Sequence, residues 1–223
     1  PDRREPYAFR GQEGQATGTE ESDMTKIKIC GLFQPEDIEA VNLYQPDFAG
    51  FIINFPKSHR NISPADLKQL KSKLDPRIKS VGVFVDRPLK EVRNLLEEGT
   101  IDIAQLHGSE DSDYIKALQT GGYEVWKAFE IQDRSDLERA IGSPADKILL
   151  DAGKGQGRTF SWDILSGLKM DYILAGGLHS GNVEQAIRSL HPLGLDISSG
   201  VESDGLKDAK KIEEVIRIVR GIQ

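Results

Sequence analysis

Cys30 stands in the run Lys-Ile-Cys-Gly and is the single cysteine of the chain. An ionised thiol can act as base or nucleophile, and a nearby ammonium such as that of Lys28 favours the thiolate. By type alone, a free cysteine is as readily a small buried hydrophobe. Asp151 ends the apolar run Ile148-Leu149-Leu150. A carboxyl there can cap a helix, pair with a cation, or serve as a general acid where desolvation raises its pKa. Two segments rich in small residues, Leu-Ala-Gly-Gly-Leu at 174–178 and Asp-Ile-Ser-Ser-Gly at 196–200, could bring backbone N–H groups close to a phosphate. Their plainer reading is tight turns. The Gly-rich run 153–160 has neither the Gly-Lys-Ser/Thr ending of a P-loop nor the Gly-x-Gly-x-x-Gly spacing of a dinucleotide site. It reads as a flexible loop able to close over a ligand. His59, His107, His179 and His191 lack metal-site spacing.

Such residues act together only if the fold gathers them. From Lys26 onward, short β-rich runs alternate with helical stretches eight times. The pattern predicts strands over Lys26–Cys30, Phe48–Ile53, Lys79–Val85, Ile101–Leu106, Glu124–Phe129, Lys147–Leu150, Tyr172–Leu174 and Leu195–Ser198. Helices are predicted after each, over 35–43, 64–74, 88–97, 111–119, 134–141, 162–168, 182–190 and 209–220. Pro35 and Pro64 suit a first helical turn, and Ser63 and Asp133 suit N-caps. This alternation means βαβ units and a parallel sheet. Eight units in 200 residues predict an α/β protein with a single-domain (β/α)8 TIM barrel at the small end of its size range. An open doubly wound sheet is the alternative, but it usually has fewer strands and an early Gly-rich turn.

The barrel decides which residues matter, because its active sites lie at the C-terminal ends of the strands. Cys30 ends the first strand, His107 follows the fourth, and Asp151 follows the sixth. Gly176 and Gly177 follow the seventh; Ser198, Ser199 and Gly200 follow the eighth. The loops after the last two strands commonly hold a phosphate in this fold. Strand alternation puts Lys26, Lys28 and Cys30 on one face and Ile27 and Ile29 on the other. The isoleucines would face the helices, so Lys28 would point into the barrel beneath Cys30. A buried lysine needs a partner, and Asp196, on the strand that closes against the first, is the expected one. The charged stretch 207–220 reads as a solvated amphipathic face, with Ile212, Val215, Ile216 and Val219 toward the barrel.

Composition narrows the function. The chain has 223 residues, a net charge of −7 and a pI of about 5.2. That excess of acid argues against nucleic acid or an anionic membrane as the main partner. Mean hydropathy is −0.43 and no apolar run is long enough to span a bilayer. A lone thiol suits a reducing, cytoplasmic setting. Residues 1–23 carry no strand or helix periodicity, and six acidic residues among three arginines argue against a transit peptide. They are expected to be a non-native or disordered leader, loosely attached. They read as a remnant of cloning, an upstream translation or the tail of a lost preceding domain. Met24 is the expected native start, and 24–223 the catalytic barrel domain.

The motifs also occur in a familiar order: Lys-Ile-Cys-Gly at 28–31, Phe-Pro-Lys-Ser-x-Arg at 55–60, Val-Gly-Val-Phe-Val at 81–85 and Gln-Leu-His-Gly at 105–108. Leu-Leu-Asp at 149–151, Ala-Gly-Gly-Leu at 175–178 and Asp-Ile-Ser-Ser-Gly-Val-Glu at 196–202 follow. From Met24 to the C-terminus the sequence resembles the phosphoribosylanthranilate isomerase family of tryptophan biosynthesis. The resemblance implies an Amadori rearrangement of a sugar phosphate, with no cofactor and no metal. It implies Cys30 as general base, Asp151 as general acid, and Arg60 as partner of the anthranilate carboxylate. Gly176, Gly177, Ser198, Ser199 and Gly200 would lie at the phosphate, with Gln105 and His107 lining the mouth. The leader leaves open a fusion to, or association with, a neighbouring enzyme of the same pathway. Other phosphate-binding barrels compete. A histidine-pathway isomerase would carry aspartate at position 30, and a ribulose-phosphate epimerase would carry metal-site histidines. A barrel that binds but no longer reacts would lack the acid or the base.

Overall fold

The computed structural model describes residues 24–151 and 162–222. The leader 1–23 and the Gly-rich run 153–160 lie outside the described residues. Among the described residues, eight parallel strands form the barrel: β1 (Lys26–Cys30), β2 (Phe48–Ile53), β3 (Lys79–Phe84), β4 (Ile103–Leu106), β5 (Glu124–Glu130), β6 (Lys147–Asp151), β7 (Ile173–Ala175) and β8 (Gly194–Ile197), with a two-residue strand, Asn61–Ile62, added alongside β2. They pair in chain order, and the sheet closes because β1 pairs with both β2 and β8. Ile29 stands opposite Ala49 on one side and Ile197 on the other. The expected TIM barrel is therefore present.

Among the described residues, seven α-helices cover the outside: α1 (Pro35–Tyr44), α2 (Pro64–Lys71), α3 (Leu89–Glu97), α4 (Ser112–Gln119), α5 (Arg134–Ile141), α6 (Val183–Leu190) and α7 (Ala209–Arg220). Local chemistry sets their starts. Pro35 and Pro64 occupy first-turn positions, where the missing N–H costs nothing. The Ser63, Asp111, Asp133 and Asp208 side chains accept from first-turn amides of α2, α4, α5 and α7. Among the described residues, the sixth outer position holds a 3₁₀ turn, Trp162–Leu165, where a helix to Leu168 was expected. Gly167 adopts φ +74°, which ends any helix there.

Strand alternation sorts the core into two layers. Ile27 and Ile29 of β1 pack outward against the helices, where Leu67, Val92, Val183, Ile212 and Val215 meet the sheet. Inside the barrel, Val81, Ile103, Trp126, Leu149 and Ile173 form a second apolar cluster. Phe48 meets Trp126 edge to face, with ring centroids 4.9 Å apart. This plug fills the lumen, so polar inward residues are displaced toward the C-terminal rim. No helix among the described residues is long and apolar enough to cross a membrane.

Candidate active site

Cys30 and Lys28 face inward from β1, as the alternation required. The Lys28 ammonium donates to both Asp196 oxygens, at 3.0 and 2.9 Å. Lys28 is 1% exposed. Burial alone would lower its pKa, but the charges of Asp196 and Cys30 and their hydrogen bonds outweigh it, and the pKa is raised. The thiol is pushed up as well: burial raises it, the Asp196 carboxylate adds to that, and Lys28 pulls the other way. Lys28 thus favours the thiolate as expected, but it does not win alone. Room for the pair comes from Gly50 on β2. A Cβ at that position would stand 2.9 Å from both the Cys30 Sγ and the Lys28 Nζ.

Arg60 reaches the same rim from the loop after β2, and Gly31 makes the approach possible. Gly31 adopts φ +78°, and a Cβ there would collide with the Arg60 Cδ. The guanidinium is not isolated. Its Nε and Nη2 donate to the two oxygens of Glu202, each at 2.6 Å. Glu202 sits on a small hairpin, Glu202–Ser203 and Leu206–Lys207, where it lies directly opposite Lys207. The turn is Asp204-Gly205, both at positive φ, which is the preferred chemistry of a two-residue hairpin. Lys207 donates to Glu202 Oε1 at 2.6 Å and to the Ser198 carbonyl at 3.1 Å. It therefore lies under the rim, not on the solvated face expected for 207–220, while Ile212, Val215, Ile216 and Val219 do face inward. Burial of Glu202 is overcome by its bonds to Arg60 and Lys207, and its carboxyl stays below the usual range. Lys207 is drawn down by burial against the pull of Glu202.

Asp151 ends β6 and faces the mouth. The His107 Nε2 lies 3.8 Å from its Oδ2. Gln105, one turn of the pleat deeper on β4, is 1% exposed, and its amide oxygen has no hydrogen-bond partner among the described residues. A buried acceptor left so costs about 1–3 kcal/mol, which a ligand donor would recover. Gly176 and Gly177 adopt φ +91° and +65° and turn the chain sharply after β7. Ser198 donates through its hydroxyl to the Cys30 carbonyl at 3.0 Å, tying β8 to β1.

One cavity of about 430 Å³ is lined by Cys30, Arg60, Gln105, His107, Asp151, Gly176, Gly177, Ser198 and Ser199. That size suits a small-molecule ligand. Gly200 is absent from the lining. Its backbone packs so closely on Leu178 that a Cβ would overlap the Leu178 carbonyl. Gly200 therefore serves the close approach of two loops. Sequence reasoning missed Glu130, which lines the cavity, and Glu202 and Lys207, which stand behind Arg60. The Asp-Gly turn was the available signal for the last pair.

A closed (β/α)8 barrel whose polar side chains converge on a cavity at the C-terminal rim defines a class, the barrel enzymes that work at that end. Within it, the chain belongs to the N-(5'-phosphoribosyl)anthranilate (PRA) isomerase family, whose sequence model matches residues 27–218. Proteins named N-(5'-phosphoribosyl)anthranilate isomerase are close in sequence. That of Thermoanaerobacter sp. (strain X514) is 42% identical over 207 residues, covering 90% of this chain and all of that one. That of Clostridium kluyveri is 43% identical over 203 residues, with 90% and full coverage. The crystal structure of phosphoribosyl anthranilate isomerase from Thermotoga maritima aligns with a TM-score of 0.81 at 32% identity, covering 89% of this chain and all of that one. A phosphoribosyl anthranilate isomerase in complex with reduced 1-(o-carboxyphenylamino)-1-deoxyribulose 5-phosphate aligns at 0.79, with the same identity and coverage.

Proposed function

We infer that this chain isomerises N-(5'-phosphoribosyl)anthranilate to 1-(2-carboxyphenylamino)-1-deoxyribulose 5-phosphate in tryptophan biosynthesis, and that residues 24–223 are the catalytic unit. One observation supports the mechanism above the others. A buried thiol on β1 and a carboxyl on β6 line one cavity, three strands apart around the barrel. An acid and a base so separated can serve opposite sides of one sugar.

Asp151 protonates the ribose ring oxygen. The ring C–O bond breaks and the anilino nitrogen supplies the electrons, leaving a Schiff-base cation at C1′. The Cys30 thiolate then removes the C2′ proton. The electrons of that C–H bond form a C1′–C2′ double bond and neutralise the cation. This enolamine takes up a proton at C1′ and gives up the proton of its 2′-hydroxyl, which leaves the C2′ ketone. Lys28 and Asp196 lie beneath the thiol and set the charge around it. Arg60 takes the anthranilate carboxylate, and the turns at Gly176-Gly177 and Ser198-Ser199 offer amides to the phosphate. Gln105 offers its unpartnered oxygen to a ligand N–H or hydroxyl. No step calls on a cofactor, and the single thiol suits a reducing cytoplasm.

Turnover decides this reading. Phosphoribosylanthranilate made in situ should lose its fluorescence quickly with the intact protein. Cys30→Ala and Asp151→Asn should each lose most of that rate, by about a hundredfold or more, while still binding the reduced product analogue. A near-normal rate in either variant removes that residue from the mechanism.

A further inference from the structure

Away from the acid and the base, a cluster of three charged side chains stands at and behind Arg60. Glu202 uses both of its oxygens there. Oε1 accepts from Arg60 Nε and from Lys207 Nζ, and Oε2 accepts from Arg60 Nη2, all at 2.6 Å. Two cations share one carboxylate, so the trio carries one net positive charge. Arg60 lines the cavity, while Glu202 and Lys207 do not. The Lys207 side chain is 1% exposed. A ligand therefore meets the guanidinium and nothing else of the trio. Glu202 holds the Nε and Nη2 side of that guanidinium. Its Nη1 hydrogens and second Nη2 hydrogen have no acceptor among the described residues, which leaves a fork free for a planar carboxylate.

Electrostatics make the third member necessary. An Arg60–Glu202 pair alone is neutral, and a carboxylate approaching it gains from the near cation but is repelled by the anion just behind. A second cation on Glu202 cancels that repulsion. We propose that Lys207 is a positioning residue for substrate recognition: it neutralises and holds Glu202, so that Arg60 keeps both its aim and its charge for the aromatic carboxylate of the substrate. The same ammonium grips the Ser198 carbonyl, and Ser198 bonds the Cys30 carbonyl. One buried lysine thus ties the rim of β8 and the loop after β2 to the end of β1. This inference rests on the isomerase reading and goes further by naming what sets the selectivity for the carboxylate-bearing ring.

The test compares two ligands by calorimetry. Reduced 1-(o-carboxyphenylamino)-1-deoxyribulose 5-phosphate has the carboxylate, and ribulose 5-phosphate lacks it. Lys207→Met should weaken the first by about tenfold or more, because it uncovers a buried anion beside the binding cation. Binding of ribulose 5-phosphate should stay within about threefold. KM for phosphoribosylanthranilate should rise far more than kcat falls. The double variant Lys207→Met/Glu202→Gln leaves Arg60 alone with one positive charge. It should recover binding of the aromatic ligand to within about threefold of the parent. Should Lys207→Met not fold, Lys207→Gln keeps a donor without the charge and carries the same expectation. Equal loss of both ligands, or a folded double variant no better than the single one, overturns the proposal and leaves Lys207 a mere brace. Absence of turnover in the unaltered protein overturns the isomerase reading itself, and the proposal with it.

Discussion

At Cys30 two neighbours pull the proton in opposite directions. Lys28 favours its departure, while Asp196 and the surrounding apolar wall favour its retention, and retention wins. The thiol of the free protein therefore titrates above the ordinary thiol range. The base form accumulates only as pH climbs through that raised value, so kcat/KM should still be rising in the alkaline range. A pH profile checks this; a plateau already reached at neutral pH would assign the limb to another group. Gly50 is the second lever at this scale. In Gly50→Ala the new methyl would press on the Sγ and on the flexible end of Lys28. Turnover should fall between about tenfold and a hundredfold through misplacement of the proposed base. The unfolding midpoint should move little, because a lysine terminus can yield. The Lys28–Asp196 pair was legible in the sequence, since alternation and barrel closure together bring the two inward positions side by side. Lys207 was not. Its charge merges with the run that begins α7, and only the hairpin turn at Asp204-Gly205 folds it back beneath the rim.

Strand β5 shows what alternation alone predicts and what it misses. Trp126 and Ala128 face the lumen, so Val125 and Lys127 face the helices, where an apolar side chain is usual. Lys127 is nevertheless buried, donating to the Gly108 carbonyl at 2.6 Å and to Glu110 at 3.0 Å. Glu110 in turn accepts from the amides of Asp86 and Gly108. This staple joins the loops after β3 and β4, and the second of these carries His107 toward Asp151. Lys127→Met would leave a carboxylate buried and unpaired, and should cost roughly 3–5 kcal/mol of stability. Urea unfolding would measure it, and a loss below about 1 kcal/mol would reduce the staple to a surface pair. Most element boundaries followed from caps and prolines in the sequence. The sixth outer element did not, because its apolar spacing around Trp162 resembles a helix while Gly167 stops it.

For the molecule as a whole, the barrel from Met24 onward has a closed sheet and two apolar layers of its own. Treating 24–223 as the catalytic unit predicts that deletion of residues 1–23 leaves turnover unchanged and shifts Tm by less than about 2 °C. A scanning calorimetry trace of the shortened chain would test it, and a clear drop in Tm would make the leader part of the folded unit. Eightfold alternation made the architecture readable, because periodicity survives without any partner residue being known. The size and lining of the cavity were not readable, since they depend on how far each loop folds over the rim.

The ion pair beneath the thiol joins residues 168 positions apart. Its ammonium belongs to the first strand of the barrel, and its carboxylate to the eighth. Until that eighth strand docks against the first the lysine lacks this mate, so the floor of the chamber is laid last. Closing the sheet and seating the ammonium under the sulfur are thus one event, which makes the chamber's floor a seal between the two ends of the sheet.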